Sequence, residues 1–213
     1  EISWNIGGSV VQEFKLFGNK ASIAVDYYHT YFENQLIVDR EMNGFIRFTN
    51  QQGQSYSNSL QTELSFSIIK SLEVRMAYKF LDVKAEYGGM TQQQVMIPRH
   101  RGFFNVGYIT RNKRWEYDAT VSVFGQSRLP GTVIGSPIEY SEVYPMINAQ
   151  ITHVYKKWDF YVGGENLTNY RQKNPIVDAE NPFGQNFDAT RIWGPVMGIN
   201  VYVGLRYAIQ RKK

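Results

Sequence analysis

The sequence predicts an all-β chain, an antiparallel β-barrel whose strands cross a membrane. Three observations carry that expectation. Apolar and polar residues alternate with a period of two along nine segments, the spacing of a strand with two unlike faces. The connections alternate strictly, one short and basic, the next long and polar. The strands repeatedly outrun the usual strand of about five or six residues, and their apolar faces carry aromatics near the ends.

The first strand runs from about Ile2 to Phe17 and breaks at Phe17-Gly18-Asn19-Lys20. The second sets Ala21, Ile23, Val25, Tyr27, His29 and Tyr31 against Ser22, Ala24, Asp26, Tyr28 and Thr30, and runs out near Asn34. Residues 34–54 are expected to form a loop folded on itself, with Phe45, Ile46 and Phe48 in a short strand. The third strand, Ser55 to Ile69, sets Leu60, Thr62, Leu64, Phe66 and Ile68 against Gln61, Glu63, Ser65 and Ser67. A tight turn at Lys70-Ser71 leads to the fourth, with Leu72, Val74, Met76, Tyr78 and Phe80 opposite Glu73, Arg75, Ala77 and Lys79. After Gly88-Gly89 a glutamine-rich loop extends to about Arg99.

The fifth strand, about His100 to Thr110, carries Phe104, Val106 and Tyr108 on one face. Beyond the turn Arg111-Asn112-Lys113-Arg114, the sixth sets Trp115, Tyr117, Ala119, Val121 and Val123 against Glu116, Asp118, Thr120 and Ser122. A long loop from Pro130 to Tyr144 precedes the seventh, which alternates Ile147, Ala149 and Ile151 with Asn148, Gln150 and Thr152. Lys156-Lys157 turns the chain into the eighth, with Trp158, Phe160 and Val162 on one face and Asp159, Tyr161, Gly163 and Glu165 on the other. The longest loop, Arg171 to Ile192, is rich in Asn, Asp, Pro and Gly. It leads to the ninth strand, where Ile199, Val201, Val203, Leu205 and Tyr207 alternate with Gly198, Asn200, Tyr202, Gly204 and Arg206.

Composition narrows the function classes. With no cysteine among 213 residues, disulfide scaffolds, Cys-ligated zinc, iron–sulfur clusters and Cys nucleophiles are excluded. No apolar run reaches the roughly 18 residues of a transmembrane helix. The mean hydropathy of −0.39 agrees with a barrel, because a barrel strand hides its apolar half in the alternation. The net charge is +4. Lys15, Lys20, Lys70, Arg111, Lys113, Arg114, Lys156, Lys157 and the tail Arg211, Lys212, Lys213 fall in separate turns and a terminus, not in one continuous stripe, so no nucleic-acid partner is expected. His29, His100 and His153 are dispersed, and no metal site is expected. No Ser-His-Asp set, phosphate loop or Gly-x-Gly-x-x-Gly is present, so neither a cofactor nor an enzyme activity is expected.

An ordinary soluble sandwich turns about every 8–12 residues. Longer strands suit a membrane, where about 9–11 tilted residues cross the hydrocarbon and the excess projects beyond it. The apolar faces then meet lipid, with Tyr and Trp at the interfaces, and the opposite faces line the interior. A large soluble antiparallel fold is the alternative. Bacterial single-chain barrels have even strand numbers, and nine is odd. With the short turns on the periplasmic side, the ninth strand ends there and the first begins outside. The chain, which starts at Glu1 without an initiator Met or signal peptide, is therefore expected to be the C-terminal portion of a larger barrel.

Gly163-Gly164-Glu165-Asn166-Leu167-Thr168-Asn169-Tyr170 resembles the Glu-Asn-Leu-Thr-Asn signature in the penultimate strand of TonB-dependent outer-membrane receptors. Asn174-Pro175-Ile176, Asn181-Pro182-Phe183-Gly184, Phe187-Asp188-Ala189-Thr190 and Trp193-Gly194-Pro195 look like the version in Bacteroidetes receptors. Gln12-Glu13-Phe14-Lys15-Leu16-Phe17 and Val25-Asp26-Tyr27-Tyr28 are similar to the same group. The resemblance covers essentially the whole chain. It implies a 22-stranded barrel closed around a plug, with residues 1–213 as its last nine or so strands and the plug domain and N-terminal strands outside them. It further implies TonB-coupled active uptake, at the bacterial cell outer membrane, of a scarce ligand: an iron–siderophore, haem, a corrinoid, another metal chelate or a glycan. The implied partners are outer-membrane lipid, a small-molecule or chelate ligand, and the TonB complex through the plug region. An outer-membrane adhesin or enzyme barrel and a soluble β-rich binding module are the alternatives. One departure stands out. Barrels of this family often end on an aromatic residue, whereas here Tyr207 is followed by Ala208-Ile209-Gln210-Arg211-Lys212-Lys213.

Six residues are site candidates. Asp178, Glu180, Asp188 and Arg191 in the longest loop either bind ligand or solvate and staple the loop. Their Asp-x-Glu lacks the Gly and terminal Glu of a calcium loop. Glu165, in the interior register of Asp159 and Tyr161, and Asn166 beside it are candidates for contact with the plug or a loop. Asn166-Leu167-Thr168 also matches a glycosylation sequon, taken as chance on a barrel strand.

Overall fold

The computed structural model of the chain describes residues 2–39, 46–50, 53–87, 90–131 and 138–209. Its strands are β1 (Ile2–Leu16), β2 (Asn19–Asn34), β3 (Leu36–Asp39), β4 (Arg47–Asn50), β5 (Ser55–Ile69), β6 (Leu72–Tyr87), β7 (Met90–Gln93), β8 (His100–Ile109), β9 (Trp115–Phe124), β10 (Tyr144–Tyr155), β11 (Trp158–Glu165) and β12 (Asn200–Tyr207). Nine of them form one antiparallel meander in the order β1-β2-β5-β6-β8-β9-β10-β11-β12. β7 adds to the end of β6, and β3 and β4 make a separate hairpin.

The register keeps every alternation in phase. One row across the sheet is Gln12, Ile23, Leu64, Met76, Phe104, Val121 and Ile147. A row on the opposite face is Glu13, Ser22, Ser65, Arg75, Asn105, Thr120 and Asn148. A slip of one residue anywhere would exchange the two sets, so the unlike faces specify the pairing. The polar face bonds across strands, as in Arg75 Nε donating to Glu63 Oε1 at 2.8 Å and Asn105 Nδ2 to Thr120 Oγ1 at 2.9 Å.

A soluble domain buries its apolar face against a second layer. Here the nine strands of the meander form one layer, and the apolar face is open: Val10 is 69% exposed and Val203 79%. The wall is stable where lipid covers that face. Two aromatic bands mark its limits. Near the short turns, Trp115 packs on His153 at 4.5 Å and Trp158 on Tyr207 at 4.8 Å, with Tyr108 and Tyr117 beside them. Toward the other end, His29 stacks on Tyr56, and His100 packs on Tyr78 and Phe80. These are the interfacial girdles of a membrane barrel. The described part is an arc of such a wall.

Several sequence-based details change. The basic turn residues do line up in space. Each short connection lies at the same end of the meander, so Lys15, Lys20, Lys70, Arg111, Lys113, Arg114, Lys156 and Lys157 share one rim. Arg211, Lys212 and Lys213 lie outside the described residues. The loop after β2 does fold on itself, with Phe48 opposite Val38 in the β3–β4 hairpin and Ile46 just ahead of it. Phe45 lies outside the described residues, as do Gly88 and Gly89. Part of the expected glutamine-rich loop is strand: β6 runs on to Tyr87 and β7 pairs with it, which satisfies the backbone of the projecting end. The last strand begins at Asn200 rather than Gly198, because the Ile199 N–H donates to Asn169 Oδ1 at 3.4 Å instead of joining the ladder.

Candidate functional site

The described parts of the long connections 35–54, 88–99, 125–143 and 166–199 lie at the end opposite the basic rim. A knot of hydrogen bonds at that end is built on the Glu165–Tyr170 segment. Asn166 follows β11 directly, is 3% exposed and has φ +50°, a left-handed conformation that asparagine tolerates better than most residues. Its amide works in two directions. Nδ2 donates to Tyr170 O at 2.8 Å and Met197 O at 3.0 Å, while Oδ1 accepts from Tyr170 N at 3.1 Å and lies 3.0 Å from Thr168 Oγ1, whose one hydroxyl proton it shares with Pro145 O. The segment is tied back to β10 by Asn166 N to Asn148 Oδ1 at 3.0 Å, Leu167 N to Ile147 O at 2.8 Å and Thr168 Oγ1 to Pro145 O at 3.0 Å. Asn166 thus fastens both ends of the longest loop to the wall.

A second knot lies one turn on. Gln172 is 6% exposed; its Oε1 accepts from the N–H groups of Trp193 and Gly194 at 2.8 and 3.0 Å. Its Nε2 donates to Arg191 O at 2.9 Å. Nothing in the local sequence marks this residue, because a Gln in a polar loop is ordinary until the chain 20 residues later folds back onto it.

Together the two knots hold a file of rings on the interior face. The Arg101 guanidinium lies 5.6 Å over Phe124, Phe124 stacks on Tyr144 at 5.0 Å, and Tyr144 stacks nearly parallel on Tyr170 at 4.7 Å. Trp193 packs on Tyr144 at 5.8 Å. Arg101, Phe124 and Tyr144 share the interior register, and Lys79 stands opposite Arg101. The Tyr170 hydroxyl donates to Glu142 Oε2 at 3.2 Å, and Lys173 pairs with Glu142 at 3.7 Å. Burial and the neighbouring Glu142 carboxylate push the Tyr170 phenol up to about 12. The arrangement is a rigid aromatic shelf ending in two cations, suited to planar or anionic groups.

The structure divides the four loop candidates. Asp188 is 5% exposed; its Oδ1 accepts from Thr190 N and Oγ1, both at 2.7 Å, and its backbone pairs with Val177. Arg191 donates to Pro130 O and reaches Glu139 at 3.5 Å, joining two long loops. These two side chains staple the loop. Asp178, at φ +51°, and Glu180 are exposed beside the turn that carries Phe183, which is 99% exposed. Glu165 is exposed on the interior face opposite Asn200. The three histidines stand on the membrane face, His29 bonded to Asn58 at 2.7 Å and His100 to the Tyr78 hydroxyl at 2.7 Å.

No family model matches the chain, and no curated protein matches it. Solved structures do. The ferric-catecholate import receptor Fiu of E. coli K12 matches over 95% of this chain at TM-score 0.61 with 13% identity. The siderophore receptor PirA from Acinetobacter baumannii matches over 96% at TM-score 0.62 with 10% identity. The FrpB iron transporter from Neisseria meningitidis matches over 96% at TM-score 0.57 with 10% identity. The chain spans 27%, 32% and 31% of these three proteins. At such identities the likeness is one of fold. The chain is all-β and antiparallel, an arc with the architecture of the barrel wall in outer-membrane receptors.

Proposed function

We propose that the chain is the C-terminal portion of the barrel of a TonB-dependent outer-membrane receptor, the last nine or so strands of 22, and that the whole protein takes up a scarce ligand rather than catalysing a reaction. The ligand classes are an iron–siderophore, haem, a corrinoid, another metal chelate or a glycan. One observation carries the reading. The segment that resembles the family signature, Glu165–Tyr170, is the one that knots the longest loop to the wall, through the four side-chain bonds of Asn166. That knot fixes an aromatic and cationic shelf facing the interior at the loop end, where an incoming ligand meets the barrel. The likeness of the arc to import receptors supports the same reading.

In this reading the polar row from Glu13 to Asn148 faces a plug, and Glu165 and Asn166 sit where plug and loops meet. Asp178 and Glu180 are free to reach ligand from the loop tip. Energy comes from the TonB complex acting on the plug region, and the protein resides in the bacterial outer membrane with lipid on its apolar face. The test is uptake by cells expressing the full-length protein, offered labelled iron chelates, haem, corrinoids and glycans. Accumulation of one class that stops when TonB is deleted or the proton gradient is collapsed is expected. An upstream reading frame with no plug and no further strands, or a protein that stays soluble without detergent, would sink the proposal.

A further inference from the structure

On the membrane face, at the loop end, Tyr78, Gly102 and Val123 stand side by side in one row of the sheet. Gly102 has no side chain, so the row has a slot between a Tyr and a Val that protrude. A Cβ built on Gly102 meets only Val123 Cβ, at 3.8 Å, so the slot is room that the backbone does not require. It opens into a cleft of about 620 Å³ whose upper end holds Arg99 and His100 and whose rim holds Tyr140 and Val143 from the 125–143 connection. Tyr140 and Val143 are 50% and 56% exposed, extending the apolar surface above the sheet.

The depth of the cleft says what medium fills it. On β6 the membrane-facing residues from Leu72 to Phe80 are apolar, and the next two in register are Asp82 and Lys84. Leu72–Phe80 is one hydrocarbon crossing, since about 9–11 tilted residues suffice. Phe80 and His100 face each other across the ladder at its top. The slot therefore lies in the acyl region, and Arg99 and His100 lie at the headgroup level of the outer leaflet. Arg99 reaches toward that level, its guanidinium 5.5 Å over the Phe80 ring and 3.4 Å from Asp82. Its side chain is 43% exposed, so part of the guanidinium faces outward at that level. A half-exposed Arg fork and a histidine whose Nδ1 is held by the Tyr78 hydroxyl, above an apolar slot, match a phosphate ester above an acyl chain.

We propose that this cleft binds one phosphorylated lipid of the outer leaflet, its phosphate on Arg99 and His100 and an acyl chain in the slot over Gly102. The proposal rests on the membrane-barrel reading above. The test is native mass spectrometry of the full-length protein in detergent, titrated with diphosphoryl lipid A and with its dephosphorylated form. Wild type is expected to take a saturable one-to-one adduct with the phosphorylated form that inorganic phosphate does not displace. Gly102→Leu, which fills the slot, is expected to lose it. Gly8→Leu, the same change on the same face where a Cβ has nothing within 4 Å, is expected to keep it. Arg99→Gln is expected to bind about fivefold more weakly and to lose the preference for phosphate. Equal adducts in wild type and Gly102→Leu would overturn the proposal, as would displacement by inorganic phosphate. Loss of a dimer rather than of lipid in Gly102→Leu would give the cleft to a second copy instead. A protein soluble without detergent fails the barrel reading before any lipid is added, so the two failures are separable.

Discussion

Asn166→Ala tests whether one side chain holds the loop end together. Three backbone groups lose their partners: Tyr170 N, Tyr170 O and Met197 O. Thr168 Oγ1 keeps its bond to Pro145 O, so it is not orphaned. At a net ~1 kcal/mol for each of the three, and a further ~1 kcal/mol for a Cβ residue without asparagine's local bonding at φ +50°, the loss is about 4 kcal/mol. Asn166→Gly keeps the left-handed backbone and loses only the bonds, about 3 kcal/mol. Asn166→Asp keeps the acceptor but turns a carboxylate toward two carbonyl oxygens, and should recover partly as falling pH protonates the acid, starting above the usual carboxylate range because burial and the facing carbonyls disfavour its charge. Amide hydrogen exchange of Tyr170 in the folded full-length barrel is the assay, because it reports local opening. Exchange should speed up on the order of a thousandfold for Ala and a hundredfold for Gly, with β10 and β11 amides unchanged. Wild-type exchange at Tyr170 in both variants would refute the reasoning. So would equal loosening throughout β8 to β12, since the knot would then be part of the wall rather than of the loop.

Gln172→Ala removes the acceptor shared by Trp193 and Gly194 and should open the second knot, giving protease cleavage between 173 and 192 while the wall stays heat-resistant on gels. Gly163 lies under the Tyr202 ring on the adjacent strand, so Gly163→Val should slow barrel assembly, and Tyr202→Ala in the same chain should restore it. The Tyr170 phenol, raised from an ordinary value of 10.0 to about 12, favours the protonated folded loop. Its contribution is whole below about pH 10 and lost as pH rises through about 12, so protease sensitivity of the loop should climb in that window and Tyr170→Phe should flatten the dependence.

Strand existence, strand order and the two faces were legible from sequence because each is local. The side chains of Ile199, Val201, Val203 and Leu205 point the same way by backbone geometry alone, whatever they pack against. The strict alternation of short and long connections then allows one topology, a meander, and a meander puts all short turns on one rim. That last step was missed at the level of charge: Lys70 and Lys156 are far apart in sequence and come onto one rim only once the strands between them pair as a meander.

The loop end is the reverse case. Asn166 could be singled out from sequence, since it sits in a recognisable run beside a strand, but its partners Met197 and Asn148 lie 31 and 18 residues away. Asp188 has the same chemistry on paper as Asp178 and Glu180, and Arg191 is one more charge in the same polar loop. Only tertiary structure decides that the first pair is spent on Thr190, Pro130 and Glu139 while the second faces solvent. The sequence by itself determined the wall, because period-two alternation is written in consecutive residues. The shelf, the knots and the cleft were decided by tertiary structure, because each joins segments whose separation along the chain carries no periodic signal.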